Sequence, residues 1–221
     1  IAYPKYMQAT IKTQKNLDLK EVYVTGLIYE GNVVKGVVTE TGEEIYARIV
    51  IMATGTYLAS NVLVGKTSTA IGPEKERTTT GLSESLKSLG FELFRLKTGT
   101  PPRVKRDSIN FDNLVPQYGD DANWRFSNLT SSTLPLSEQI PCYLTYTSPE
   151  THRIINEKLH LSSMYSGMVK GLGPRYCPSI EDKIVRFADK ERHQIFIEPE
   201  SKDTDDMYIQ GLSTSMPHDI Q

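Results

Sequence analysis

The sequence is poor in the features that mark secreted or membrane-spanning proteins. Its two cysteines, Cys142 and Cys177, are too few for a disulfide framework in a chain of 221 residues. No apolar run approaches the length that spans a bilayer, and no signal-peptide pattern is found. We therefore expect a cytoplasmic protein that makes no use of a membrane.

The chain also lacks a large excess of positive or negative charge, since 25 basic and 27 acidic residues leave a net charge of −2. A near-neutral chain has no overall attraction for nucleic acid, although a local basic patch remains compatible with it. The histidines do not lie at ligand spacing from cysteines or acidic residues. Metal sites in proteins need such clusters, so we expect no metal site.

A G-x-G-x-x-G loop after a strand, which holds the pyrophosphate of a dinucleotide, is missing as well. Gly167, Gly171 and Gly173 have the wrong spacing. The absence leaves two alternatives, a protein that binds no nucleotide or an internal fragment of a longer one. The start at Ile1 rather than Met and the abrupt end at Gln221 favour a fragment.

Alternating apolar residues predict a three-stranded meander over residues 22–29, 33–39 and 45–52. Residues 49–52 are apolar on both faces, which is typical of an interior strand. This strand leads into Ala53, Thr54 and Gly55. A glycine at the end of a buried strand permits the close approach of a cofactor, and a tight turn is the alternative.

The remaining patterns predict a mixed α/β fold. Helical periodicity begins at the start of the chain, near Thr79 and Thr80, at Pro149 and after Ser179. Strands are predicted over residues 91–96, 141–146, 194–199 and 207–209. Residues 60–78 and 108–140 are predicted to be irregular, with Trp124 and Phe126 holding the second segment in place.

The richest stretch is 173–187, read G-P-R-Y-C-P-S-I-E-D-K-I-V-R-F. Ser179 lies three residues before an acidic residue, the spacing of a helix capping pair, so Cys177 comes just before a helix N-terminus. Unpaired N–H groups there, with Arg175 and Lys183, favour a thiolate and make Cys177 a candidate nucleophile. The same N-terminus would attract a phosphate. The alternative is a structural helix in which Cys177 is a small buried hydrophobe.

A second motif, L-K-T-G-T-P-P-R at residues 96–103, combines charges, hydroxyls, a glycine and two prolines in a stiff loop. Its donors suit anionic oxygens, and a rigid surface turn is the alternative.

Five motifs together resemble the GidA/MnmG family: G-P-R-Y-C-P-S-I-E-D-K, L-K-T-G-T-P-P-R, A-T-G-T-Y-L, Q-I-F-I-E-P-E and G-L-S-T-S-M-P. The resemblance covers essentially the whole chain. It implies a glutathione-reductase-type FAD-binding domain with an inserted nicotinamide-binding α/β domain. Residues 1–100 would be the partial FAD domain. Residues 101–221 would be the inserted NAD-binding and substrate domain, with a return to the FAD domain near the end as an option.

The resemblance also implies the chemistry of the flavin-dependent subunit of the tRNA uridine 5-carboxymethylaminomethyl modification complex. FAD and NADH carry the reducing equivalents. A one-carbon unit from methylenetetrahydrofolate and an amine, glycine or ammonium, are joined to C5 of the wobble uridine in tRNA. A homodimer and a GTPase partner, MnmE, are implied. MnmE would dock on C-terminal helices that this chain lacks, and the isolated chain is expected to be inactive.

Carried over position by position, the resemblance implies that FAD contacts the main chain of Val24 and the hydroxyl of Thr79, where the family commonly has Ser. The residues assigned to FAD also include Ala53, Thr54 and Gly55. The nicotinamide cofactor is assigned to Gly173, Pro174, Arg175, Tyr176, Cys177, Pro178, Ser179, Ile180, Glu181, Asp182, Lys183, Ile184, Val185, Arg186 and Phe187.

Two further roles are predicted, one for Cys177 and one for a group of cations. Cys177 is predicted to attack C6 of the target uridine or to assist formation of the adduct. In the alternative, Arg175 binds the pyrophosphate of the cofactor and Cys177 has only a structural role. Four cations close together are predicted to contact tRNA, with a solvated turn as the alternative. They are Lys97, Arg103, Lys105 and Arg106. A non-catalytic binding module on a flavoprotein-like scaffold is the alternative to an enzyme.

Overall fold

The computed structural model describes residues 2–169, 171, 173 and 178–221. The predicted site residues Pro174, Arg175, Tyr176 and Cys177 lie outside the described residues. The chain divides into two compact units, Ile1–Arg95 and Leu96–Gln221, which are called unit 1 and unit 2 below. Both mix helices with antiparallel strands, which confirms the mixed α/β class. The assignment of FAD and NAD binding to separate domains stays a prediction.

Unit 1 is built on a three-stranded antiparallel meander in the order β1-β2-β3, as predicted. A short hairpin, β4–β5, lies within the segment that was predicted to be irregular. Its strands are too short to give a clear alternation, so the sequence prediction missed them. The elements are α1 Ala2–Thr13, β1 Val24–Glu30, β2 Val33–Thr39, β3 Glu44–Tyr46, β4 Val62–Val64, β5 Thr67–Thr69 and α2 Gly81–Ser88.

Helix α2 packs on the meander where the sequence predicts a helix. Thr80 is its N-cap residue, without a side-chain cap hydrogen bond. Leu82 is buried, and Ser85 Oγ accepts a hydrogen bond from the N–H of Leu27 in β1 at 3.2 Å. Gly90 follows the helix with φ at +86°, a backbone conformation that side chains disfavour, and it ends the helix as predicted.

The prediction of an interior strand at residues 49–52 is wrong for this unit. Strand β3 ends at Tyr46, and Ile49 and Ile51 are 76% and 86% exposed. Residues 91–95 likewise form no strand, and Phe94 is 77% exposed. Residues 49–52 form a continuous apolar run and residues 91–95 alternate, but no strand in the described part of the chain pairs with either segment. Pairing, rather than local pattern alone, makes a strand.

Unit 2 is built on a five-stranded antiparallel sheet in the order β6-β10-β9-β8-β7. One core lies on the sheet, where β9 and β10 contribute Ile195, Ile197, Met207 and Ile209 at a period of two. A second core joins the two helices through Ile155, Ile180, Ile184 and Met216. The elements are β6 Arg103–Lys105, β7 Val115–Gln117, β8 Cys142–Tyr146, α3 Pro149–Lys158, α4 Ile180–Arg186, β9 Gln194–Pro199 and β10 Asp206–Gln210.

The sequence predictions for the later part of unit 2 are confirmed by strands β8, β9 and β10 and by helix α3. Ser148 caps α3 through a reciprocal pair with Thr151. The prediction for residues 108–140 is only partly right, because this polar segment contains β7 and two short 3-10 turns, Phe111–Asn113 and Leu136–Glu138. Trp124 and Phe126 do not hold it in place, since both side chains are exposed.

Within the described ranges, no helix is both long enough and apolar enough to cross a bilayer.

Candidate functional site

Helix α4 begins where the sequence predicts it. Ser179 is the N-cap residue, and its Oγ accepts a hydrogen bond from the N–H of Asp182 at 3.2 Å. Ile180 and Ile184 are 1% and 2% exposed and anchor the helix in the second core of unit 2. Phe187 was predicted on the same apolar face, but it is half-exposed because the helix ends at Arg186 and the chain turns away.

The first turn of α4 contains a completely buried carboxyl group, that of Glu181. Its Oε1 accepts hydrogen bonds from Ser162 Oγ and Thr214 Oγ1, both at 3.0 Å. It also accepts the backbone N–H of Ser215 at 2.9 Å and the Ser215 hydroxyl at 3.3 Å. Three segments of unit 2 therefore meet at one oxygen atom.

Asp182, the next residue, links α4 to the L-K-T-G-T-P-P-R loop. Its Oδ2 lies 3.6 Å from the Nζ of Lys97, and its Oδ1 lies 3.5 Å from the guanidinium of Arg186. The Tyr165 hydroxyl donates to Oδ1 at 3.3 Å, and burial, followed by the Asp182 charge, raises the pKa of that phenol. Gly173 leaves room for this ion pair, because a Cβ there would clash with Cε of Lys97.

The same loop also packs against residues 213–214. Thr100 forms an isolated antiparallel bridge with Thr214. Gly99 has no room for a side chain, since a Cβ would lie 2.8 Å from Cβ of Ser213. The N–H of Ile180 donates to the Ser213 carbonyl at 2.7 Å. Three of the motifs that carry the family resemblance, namely the loop, the start of α4 and the G-L-S-T-S-M-P segment, therefore meet in unit 2.

The electrostatic surroundings predicted for Cys177 remain untested, because Cys177 and Arg175 lie outside the described residues. Lys183 was predicted to add positive charge there. Its ammonium donates to the Gly211 carbonyl at 2.8 Å. The first turn of α4 also carries two carboxyl groups, and their negative charge opposes a thiolate or a phosphate at this helix start.

Unit 1 brings together the residues assigned to FAD. The Thr79 hydroxyl donates to the Val24 carbonyl at 3.0 Å, and the Thr79 N–H donates to the Tyr57 carbonyl at 3.0 Å. The Tyr57 N–H in turn donates to the Thr54 carbonyl at 3.0 Å and closes the turn at Gly55, whose φ is +53°. These residues form one hydrogen-bonded cluster, and their contact with FAD stays a prediction.

The cations predicted to contact tRNA are separated by the fold. Arg103 and Lys105 lie in β6 with Arg106 directly after it, whereas Lys97 pairs with Asp182 at the start of α4. The Arg103 guanidinium lies 2.9 Å from a Glu200 oxygen, and the Lys105 ammonium lies 2.7 Å from Asp206. Carboxylates therefore offset part of the positive charge. The role of these cations in tRNA binding stays a prediction.

Cys142 has no base beside it in the sequence, and it lies half-buried in β8. Burial raises the pKa of its thiol, and the nearby Glu198 charge adds to the effect. Both influences oppose a thiolate and fit a packing role.

The hydrogen-bonded cluster around Glu181 was not predicted from the sequence. Glu181 was expected only as part of the cofactor-binding stretch, and Ser162 was not among the predicted site residues. The available signal was the S-T-S run at 213–215, where three hydroxyl side chains lie between the apolar Leu212 and Met216. Hydroxyl groups enclosed by apolar residues need a hydrogen-bond partner inside the fold.

Solved structures define the class of protein to which this fold belongs. The chain is similar to Aquifex aeolicus GidA in two crystal forms, with TM-scores of 0.90 and 0.88 and sequence identities of 43% and 40%. Each match covers 99% of this chain, and 37% and 35% of the respective GidA chains.

The family model described as glucose inhibited division protein A matches residues 1–221, and the chain belongs to this family. It is 55% identical over 221 residues to the tRNA uridine 5-carboxymethylaminomethyl modification enzyme MnmG of Acholeplasma laidlawii. It is 52% identical over 219 residues to the enzyme of the same name from Bacillus subtilis. The chain spans 36% and 35% of the length of these relatives. The family resemblance of the five sequence motifs is confirmed.

Proposed function

We propose that this chain is part of a longer FAD- and NADH-dependent enzyme that adds a carboxymethylaminomethyl group to C5 of the wobble uridine of tRNA. The observation that carries the proposal is the identity of 55% and 52%, across essentially the whole chain, to relatives named for this modification. The name that these relatives share favours an enzyme over the alternative of a non-catalytic binding module.

Unit 1 supplies the flavin side in this proposal. The turn at Gly55 is open, because a Cβ there would meet only a ring carbon of Tyr57 at 3.8 Å. Backbone that is open in this way suits the close approach of a flat ring system. The hydrogen bond between Thr79 and Val24 fixes the neighbouring backbone. These features fit FAD, which would supply the redox chemistry.

Unit 2 supplies the nicotinamide side through the stretch 173–187. Of the described residues in this stretch, Gly173, Val185, Arg186 and Phe187 are exposed and available to a ligand. An exposed aromatic ring suits stacking on a planar base, and a guanidinium suits a phosphate. The buried residues of α4 hold the helix in place and leave contact with the cofactor to the exposed ones.

The chemistry proposed for the substrate is nucleophilic activation of uridine. A bond from Sγ of Cys177 to C6 makes C5 nucleophilic. C5 then attacks the methylene carbon of methylenetetrahydrofolate, and one of the two C–N bonds that hold this carbon in the folate breaks. The nitrogen of glycine or ammonium displaces the remaining folate nitrogen, which releases tetrahydrofolate, and loss of the C5 proton releases the thiolate. Action with the GTPase partner MnmE, homodimer formation and a cytoplasmic location are further parts of the proposal.

The cofactor assignment is testable by flavin absorbance. The full-length protein that contains this chain should purify with bound FAD, and NADH should bleach the flavin in the absence of oxygen. The isolated 221-residue chain is the control and should be colourless, because it lacks the G-x-G-x-x-G loop that holds pyrophosphate. A full-length protein without flavin, or with a flavin that NADH does not reduce, contradicts the proposal.

A further inference from the structure

We infer that Glu181 is a positioning residue that holds residues 211–215 against helix α4 and thereby sets the affinity for the nicotinamide cofactor. The inference rests on the proposed function, in which NADH binds to the stretch 173–187. It assigns Glu181 to support of the cofactor site and not to contact with the cofactor, because its side chain has no exposed surface.

Burial of the Glu181 carboxyl group, taken alone, lowers the stability of the fold. Its Oε1 receives four donors, whereas its Oε2 is buried without a hydrogen-bond partner in the part of the chain that the structure describes. Burial of a carboxyl group with one oxygen unpaired costs free energy that an apolar side chain of similar size would not. The compensating effect of the carboxyl group is to fix the segments that donate to it.

The segments that Glu181 joins are those that define the start of α4. Thr214 and Ser215 bond to Oε1, the Ser213 carbonyl accepts the N–H of Ile180, and the Gly211 carbonyl accepts the Lys183 ammonium. Residues 211–215 are therefore tied to the helix along their whole length, and the carboxyl group of Glu181 is the central attachment.

Loss of this attachment is expected to weaken cofactor binding rather than chemistry. The donors of Thr214 and Ser215 would lose their acceptor, and the segment, still held by its backbone hydrogen bonds, would be less well ordered until the cofactor binds. Ordering on binding subtracts from affinity, so the KM for NADH should rise while kcat stays close to the parent value. The cluster of Thr79, Val24 and Gly55 shares no residue with this network, so FAD content should not change.

The experiment uses the full-length protein and follows flavin reduction by NADH. Glu181→Ala should raise the KM for NADH about tenfold or more, with kcat within about threefold of the parent value. Glu181→Gln keeps the Oε1 acceptor and should recover most of the affinity. Ile155→Ala is the matched control, since Ile155 packs in the adjoining core and its apolar side chain donates no hydrogen bond to the carboxyl group. It should lower the thermal midpoint and leave the KM unchanged.

An unchanged KM in Glu181→Ala would overturn the inference, and so would an equal rise in KM for Ile155→Ala or for Glu181→Gln. If Glu181→Ala does not fold, Ser215→Ala can be measured instead. This variant removes the Ser215 hydroxyl, one of the donors to Oε1 of Glu181, and should raise the KM for NADH about threefold. An unchanged KM in that variant counts against the inference. Failure of NADH to reduce the parent flavin would instead overturn the proposed function itself, and the inference with it.

Discussion

Replacement of Cys177 by serine in the full-length protein is expected to reduce tRNA modification to below about a hundredth of the parent rate. Serine keeps the size of the side chain and removes the soft nucleophile. A hydroxyl group is not ionised near neutral pH, so it does not add to C6 of uridine at a useful rate. The flavin should stay bound and should still be reduced by NADH, because serine keeps the size of the side chain within the stretch proposed to bind the nicotinamide cofactor.

The matched control is Cys142→Ser, which changes the other cysteine of the chain. Cys142 lies in β8, where burial raises the pKa of its thiol, and its loss should leave modification within about threefold of the parent rate. The measurement is the amount of modified wobble uridine formed with time. A Cys177→Ser variant that binds FAD and modifies tRNA at the parent rate would show that Cys177 is a packing residue only.

Ile180→Ala should be the most destabilising single truncation in α4, at about 2–5 kcal/mol. Ile180 is 1% exposed and packs with Ile155, Ile184 and Met216, so its removal leaves a cavity between α3 and α4. Val185→Ala is the control on the same helix. Val185 is 42% exposed, and its truncation should cost about 1 kcal/mol or less.

The two variants can be compared by urea unfolding of the full-length protein, with hydrogen exchange to show where stability is lost. We expect a lower unfolding midpoint for Ile180→Ala and faster exchange of the α4 amides. Equal shifts for the two variants would contradict the core described for unit 2.

The strands that were predicted well from the sequence have both a clear apolar pattern and a neighbouring strand in this chain to pair with. Strand β9 was predicted over its full range, Gln194–Pro199, and it pairs with β8 and β10 on either side. Residues 49–52 and 91–95 have equally good patterns but do not form strands, because no described strand pairs with them. Strand β7 shows the converse, since β8 offers a partner to a segment with little pattern of its own.

The candidate site divides in the same way between local and distant contacts. The helix start at Ser179 was predictable because a cap depends on residues three apart. The hydrogen bond from Thr214 to Glu181 joins residues 33 positions apart. Lys97, in the L-K-T-G-T-P-P-R loop, pairs with Asp182 in α4. Neither spacing nor composition specifies such contacts, so they were seen only in the folded chain.

The most direct test of the account is the mass of the wobble nucleoside after reaction. Unmodified tRNA would be incubated with the full-length protein, MnmE, GTP, FAD, NADH, methylenetetrahydrofolate and glycine. The account predicts a uridine heavier by one carboxymethylaminomethyl group, and an aminomethyl group when ammonium replaces glycine. A protein that holds FAD, is reduced by NADH and leaves the uridine unmodified with both amines would contradict it.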